Sequence, residues 1–209
     1  MTTEQLRHRM PPILKALKER SLRGRTPGEG LRRTECAYHG WDTVHADAAS
    51  WEPFAPGDAF GGLEAHHCFK GTVTLPEASA GKRVVCLVST GAYDIWNNNN
   101  PQFLAYVDGR LVCGLDVNHN EFDLAACAVP GESHELALYV YCNTPARDVF
   151  LRVETAERDD DVTGLYYDLR APYEVCALLA DDDTRAIGIM KHLNRALNLL
   201  DLRDLDSGA

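Results

Sequence analysis

The chain has 209 residues, 45% of them hydrophobic and 25% charged, with a formal net charge of −10 at pH 7. That length and composition suit one large domain with a substantial core and exclude collagenous, low-complexity and fully disordered classes. The negative balance disfavours nucleic acid and anionic membrane surfaces as partners. No apolar run approaches the ~18 residues of a membrane span and charge stands where a secretory signal would be apolar, so a cytoplasmic protein is expected.

In chain order, residues 1–33 hold nine Lys/Arg against three acids, which marks a basic N-terminal arm. Ile13, Leu14 and Leu17 recur at helical spacing. Pro11-Pro12 is expected at a helix start, where a missing amide donor matters least. Arg23 to Gly30 reads as linker, and the arm as a helix packed on an acidic protein surface rather than on nucleic acid. Gly61-Gly62 reads as a tight bend, since it precedes a strand and offers no helix N-terminus to a phosphate.

From Thr72 the period changes to short β-rich runs bounded by Gly, Pro, Asn and Asp: TVTL, RVVCLVS, FLAYV, LVCGL, ELALYVYC and VFLRVET. Asp108-Gly109 lies between two of them and predicts a two-residue hairpin, because both central positions of that turn need positive φ. No helical pattern separates these runs, so the expected architecture is mainly β, an antiparallel jelly-roll-like β-sandwich with an N-terminal helix and C-terminal helices. The predicted division is 1–33 arm and linker, 34–163 β-sandwich, and 164–209 helical connection.

After Gly164 the pattern is helical again, with Pro172 expected to open one helix and Ile189, Leu193, Ala196 and Leu200 on one face of the next. Asp181, Asp182 and Asp183 precede that helix and suit capping rather than a metal, because consecutive residues point in different directions. The seven cysteines form no Cys-x-x-Cys pair. Several sit in apolar runs, as small core residues do in a reducing compartment.

The sequence lacks the phosphate-binding glycine loop, the Gly-x-Ser-x-Gly elbow, the His-Glu-x-x-His pair and the dinucleotide fingerprint. Polar and aromatic residues instead gather in the segments flanking the strands: Trp51, Phe54, Asp58, Phe60, Glu64, His66 and His67, then Asp94, Trp96 and Asn97 to Asn100, then Asp116, Asn118, His119 and Glu121. Aromatic rings can cover the C–H face of a sugar while Asn, Asp and His reach its hydroxyls. Loop architecture explains the asparagine run equally well, since Asn tolerates left-handed backbone. Asp94, Trp96, Asn100, Asn118 and His119 are the candidate substrate-binding or domain-interface residues. They are expected at one end of the sandwich, because the hairpin puts the residues before Phe103 and after Leu115 at its open end. Glu64 with His66, and Asp116 with His119, offer O and N donors, yet a zinc site needs at least three converging protein ligands, so no metal site is assigned.

Longer strings carry a further signal: WEPFAPGDAFGGLEAHHCFKGTVTLPE, GKRVVCLVSTG, NPQFLAYVDGRLVCGLDVNHNEFDL, GESHELALYVY and LYYDLRAP. From about Trp51 to Arg203 they resemble, in order, the N-terminal region of family 38 glycoside hydrolases, the bacterial and vacuolar-type α-mannosidases. Asn100-Pro101-Gln102-Phe103-Leu104, Tyr106-Val107-Asp108-Gly109 and Gly114-Leu115-Asp116-Val117-Asn118-His119 are the most telling. The pattern departs at Phe60, Lys70 and Cys68, where the family carries Trp, Arg and Trp, and at Glu64 and Asn120, where it carries Asp and Arg.

The resemblance implies a β-sandwich followed by a helical connection into a catalytic domain. That domain performs retaining hydrolysis of α-mannosides with an Asp nucleophile and a zinc ion. It opens with a Gly-His-x-His-x-Asp-like string that this sequence lacks. No catalytic residue and no cofactor are therefore assigned to this chain, and zinc is expected in a catalytic domain outside it. The expected role is a non-catalytic accessory domain in mannose metabolism, supporting its catalytic domain and its substrate entrance or subunit interface. The full-length enzyme is expected to be a homo-oligomer that meets mannosides, with neither nucleic acid nor membrane as partner. The alternative is an independent carbohydrate-binding module.

Overall fold

Two long strands, β4 (Ala59–Thr74) and β9 (Ser133–Phe150), form the centre of the fold. The computed structural model describes residues 3–90, 101–180 and 182–200. In β4 and β9 alternate side chains point to opposite faces. Phe69 and Val73 of β4, with Leu136, Leu138 and Val140 of β9, enter the main core. Cys68, Ala137 and Tyr139 face the other way.

The remaining strands are β1 (Leu22–Pro27), β2 (Glu29–Cys36), β3 (Glu52–Pro53), β5 (Val84–Ser89), β6 (Gln102–Val107), β7 (Arg110–Leu115), β8 (Glu121–Ala125) and β10 (Arg152–Arg158). They make a six-stranded sheet of order β3-β2-β4-β9-β6-β7 and a four-stranded sheet of order β1-β10-β5-β8. The ladders β2–β4, β4–β9, β9–β6, β6–β7, β10–β5 and β5–β8 are all antiparallel. With β2 and β3 set aside as additions at one edge, the strands alternate between sheets in jelly-roll order. Asp108 and Gly109 both have positive φ, 49° and 74°, and join Val107 to Arg110 as the hairpin requires.

The chain divides into two compact units, residues 24–157 and residues 1–23 with 158–209. Within the first, Phe54, Phe60 and Phe69 pack edge to face with centroids 4.9 to 6.2 Å apart. The second consists of α1 (Thr3–Arg20), α2 (Asp160–Ala177) and α3 (Thr184–Leu199). These share a core of Met10, Leu17, Val162, Tyr166, Leu169, Cys176, Ala186, Met190, Leu193 and Leu197. Asp159 caps α2 by accepting from the Val162 amide, and Asp183 caps α3 by accepting from the Arg185 amide.

Several expectations change. Pro11-Pro12 lies inside α1, not at its start. Pro11 cannot donate to the Arg7 carbonyl, which instead accepts from the Tyr173 hydroxyl at 3.4 Å, so a neighbouring helix replaces part of the lost ladder. Pro172 is likewise interior to α2, which begins a dozen residues earlier at Asp160. The stripe buried by α3 is Ala186, Met190, Leu193 and Leu197, while Ala196 is exposed; both stripes fit a 3.6-residue period, and packing selects between them.

Arg23 to Gly30 is mostly strand rather than linker. Edge strands can be charged and rich in Gly, which is why this stretch reads as loop in sequence. Gly61-Gly62 lies within β4 at φ 132° and 126°, where the ladder with β9 shifts register. It is a bulged strand rather than a turn. Of the cysteines, Cys68, Cys86, Cys142 and Cys176 are buried, Cys36 and Cys113 partly so, and Cys127 is exposed; all are free thiols.

Two outcomes follow from this packing. Phe69 is fully buried, so Phe69→Ala should cost about 3–5 kcal/mol, read as a lower denaturant midpoint at unchanged slope. His67 is also buried, with Nε2 3.3 Å from the Gly61 carbonyl and Nδ1 without a partner. Burial is the main cause that pushes its pKa below the ordinary 6.5. The unfolded chain therefore binds a proton that the folded chain resists, and stability should fall as pH drops below 6.5. His67→Phe should flatten that part of the stability-versus-pH curve.

Candidate functional site

The outer face of the six-stranded sheet is a grid set by register. One row runs Cys36, His66, Tyr141, Gln102, and the next runs Thr34, Cys68, Tyr139, Leu104, Gly114. A third runs Arg32, Lys70, Ala137, Tyr106.

The segment between β2 and β4 covers part of this grid. Val44 and Trp51 pack over Cys68, Tyr106, Ala137 and Tyr139. Lys70 donates to the Ala46 carbonyl at 2.8 Å and pairs with Glu135, while Arg32 donates to the Ala49 and Trp51 carbonyls. Cys68 is thus roofed over and offers nothing to a ligand.

Among the described residues nothing covers the opposite part of the grid. Gln102, Phe103, Leu104, Gly114, Leu115, Asp116, His119, Tyr139 and Tyr141 line a cavity of about 340 Å³. The His66 ring lies nearly parallel to both Tyr139 and Tyr141, with centroids 5.7 and 5.1 Å away. The Tyr139 hydroxyl shares a 2.8 Å hydrogen bond with His66 Nδ1. The Tyr141 hydroxyl donates to Glu64 Oε1, also at 2.8 Å. Glu64 sits at the β4 bulge with φ 52°, a left-handed conformation rare for a residue other than Gly, Asn or Asp. Beyond His66 and Tyr139 stand Tyr38, 71% exposed, and Trp41, 41% exposed, extending the aromatic surface.

The far wall is the turn after β7. Asp116 Oδ1 accepts from the backbone amides of Asn118 and His119 at 2.8 and 2.7 Å and lies 3.2 Å from His119 Nδ1. Burial alone would raise the Asp116 pKa, but these donors outweigh it and hold the carboxyl below its ordinary value. Asp116 is therefore an ionised, turn-fixing group at neutral pH.

Of the residues singled out from sequence, Asn118 and His119 lie in this turn. His119 lines the cavity and Asn118 contributes its backbone amide to the turn. Asp94, Trp96 and Asn100 fall outside the described residues. Glu64 and His66 each contact a tyrosine rather than one another's partner. Among the described residues no group of three or more His, Cys, Asp or Glu side chains is placed to hold a metal ion. No step is derived through the zinc that the family resemblance implies elsewhere.

Sequence reasoning missed Tyr139, Tyr141, Gln102 and Gly114. The signal was present in Leu138-Tyr139-Val140-Tyr141. Val140 is fully buried, so period-2 alternation puts both tyrosines on the opposite face.

No protein-family model matches this chain, and no curated protein matches it. Among solved structures the chain is similar to the β-glucuronidase of Faecalibacterium prausnitzii, at 13% identity and a TM-score of 0.44, with 66% of this chain and 32% of that one covered. It is also similar to the β-glucuronidase of Ruminococcus gnavus in complex with D-glucuronic acid, at 8% identity and a TM-score of 0.47, with 66% and 30% covered. Both are glycoside hydrolases, and this chain spans about a third of their length.

The Tyr141–Glu64 contact gives a direct check. Donation to the carboxylate is the main reason the Tyr141 pKa lies above its ordinary 10.0, because the ionised phenol would face a second anion. Glu64→Gln should bring the Tyr141 titration, followed by NMR, down towards 10.0.

Proposed function

We propose that this chain is the non-catalytic β-sandwich and helical connection of an α-mannosidase-type glycoside hydrolase. In this reading it supports a catalytic domain carried by another stretch of the same protein and presents its outer-face cavity to that domain's substrate entrance or to a subunit interface. One observation carries the reading. Two of the three strings that most resemble the α-mannosidase family, those ending at Leu104 and at His119, come together on the cavity and supply seven of its nine lining residues, while Tyr106 to Gly109 lies away from it. Five of the seven, Gln102, Leu104, Gly114, Asp116 and His119, stand outside the main core that takes Phe103 and Leu115, and such positions of a rigid scaffold usually carry contacts.

Under this proposal zinc, nucleophile and mannoside cleavage belong to the catalytic domain, the protein works in the cytoplasm, and the assembled enzyme is a homo-oligomer. The purified chain should leave an aryl α-mannoside uncleaved above the buffer rate, with or without added zinc. Cleavage by the chain alone, abolished by a chelator, would overturn the reading.

A further inference from the structure

A glycine inside a strand weakens it by roughly 0.5–1 kcal/mol relative to alanine, and usually has a backbone reason: a positive φ or the close approach of another chain segment. Gly71, in β4, has such a reason. A Cβ there would lie 2.9 Å from the Glu29 carbonyl oxygen. Gly114, in β7, has neither. Its φ is not positive, and a Cβ would meet nothing closer than the Phe103 carbonyl oxygen at 3.7 Å, an ordinary contact. What a side chain at this position would occupy is the cavity itself, whose floor Gly114 forms with Leu104.

The groups around that space restrict what can fill it. Asp116 is held ionised at one side, and Glu64 stands behind the Tyr141 hydroxyl at the other. Among the described residues no Lys or Arg lines the cavity. A carboxylate or phosphate ligand would face acidic groups without a countercharge. A neutral polyol would not. Its hydroxyls can donate to the Asp116 carboxylate, and the Gln102 amide can both donate and accept. The partly exposed Tyr141 adds aromatic surface for the C–H face of a pyranose. A volume of about 340 Å³ lies at the small end of ligand sites, which run ~300–1,000 Å³.

We propose that this cavity binds one neutral hexopyranose ring, with Gly114 as its floor and Asp116 and Gln102 as its principal hydroxyl partners. The neutral-sugar chemistry follows from the cavity; the choice of mannose as first probe rests on the function proposed above.

The test titrates the whole chain with methyl α-D-mannoside, methyl α-D-glucoside and sodium glucuronate, following amide shifts by NMR and heat by calorimetry. At least one neutral glycoside should bind with a Kd near or below about 1 mM, corresponding to about 4 kcal/mol. It should shift the Gly114, Asp116 and His119 amides, while glucuronate binds at least tenfold more weakly. Gly114→Ala should keep binding within about threefold. Gly114→Leu should weaken it at least tenfold without lowering the melting temperature.

The wild-type shift map locates the ligand even if Gly114→Leu fails to fold. Absence of binding by both neutral glycosides, shifts confined to other surfaces, tighter binding of glucuronate, or wild-type affinity in a folded Gly114→Leu chain would each overturn the inference. A chain that binds no sugar and cleaves none sinks this site alone, whereas a chain that cleaves the mannoside sinks the accessory role.

Discussion

The antiparallel pairing of β4 with β9 is the constraint on which the sandwich depends. Its register fixes, residue by residue, which side chains enter the core and which face outward. Phe69 pairs with Leu138 on the core side, and the next step pairs Cys68 with Tyr139 on the outer side. A slip of one residue would send Tyr139, Tyr141 and His66 into an apolar interior and expose Phe69. The core and the candidate site are therefore specified together, as the two faces of one ladder.

That coupling explains what the sequence made legible. Short apolar runs around β5, β6 and β7 declare themselves because their residues are β-rich and bounded by turn formers, and Asp108-Gly109 has a conformational requirement that few other dipeptides meet. The strands towards the β3 side of the six-stranded sheet are hidden. β2 carries Arg32 and Arg33, whose guanidinium groups reach backbone carbonyls and Glu52 rather than solvent alone, and no local pattern announces those partners. The start of β4 is hidden for another reason. Its Gly61-Gly62 pair is a turn signal in isolation, and only the long partner β9 keeps the chain in the sheet through the bulge. In the helical unit Pro11 and Pro172 mislead similarly, because tertiary packing tolerates a break in the ladder that an isolated helix would not.

The site was legible in its polar loop and illegible in its aromatic floor. Asp116 and His119 stand out because such residues cluster conspicuously after a strand. Tyr139 and Tyr141 do not, since they sit in a run whose other members fill the core, and a tyrosine there reads first as packing. Gly114 is still quieter. A strand glycine becomes informative only once the space around it is known, which sequence alone does not provide.

Two features set the six-stranded sheet apart from a regular one: the β4 bulges, one of which holds the left-handed Glu64, and the missing side chain at Gly114. Each has a cost, on the order of 1–3 kcal/mol for a non-glycine residue held in a sparsely populated backbone region and less for the glycine. The bulge aims the Glu64 carboxylate at Tyr141, and the missing side chain at Gly114 leaves the space beside Leu104 and the exposed Gln102 open from the β7 side. If folding were the only requirement, alanine at 114 and an unbroken β4 would give a more stable sheet. The left-handed Glu64 instead holds the hydroxyl of Tyr141, which lines the cavity, and the missing side chain at Gly114 leaves space beside Leu104.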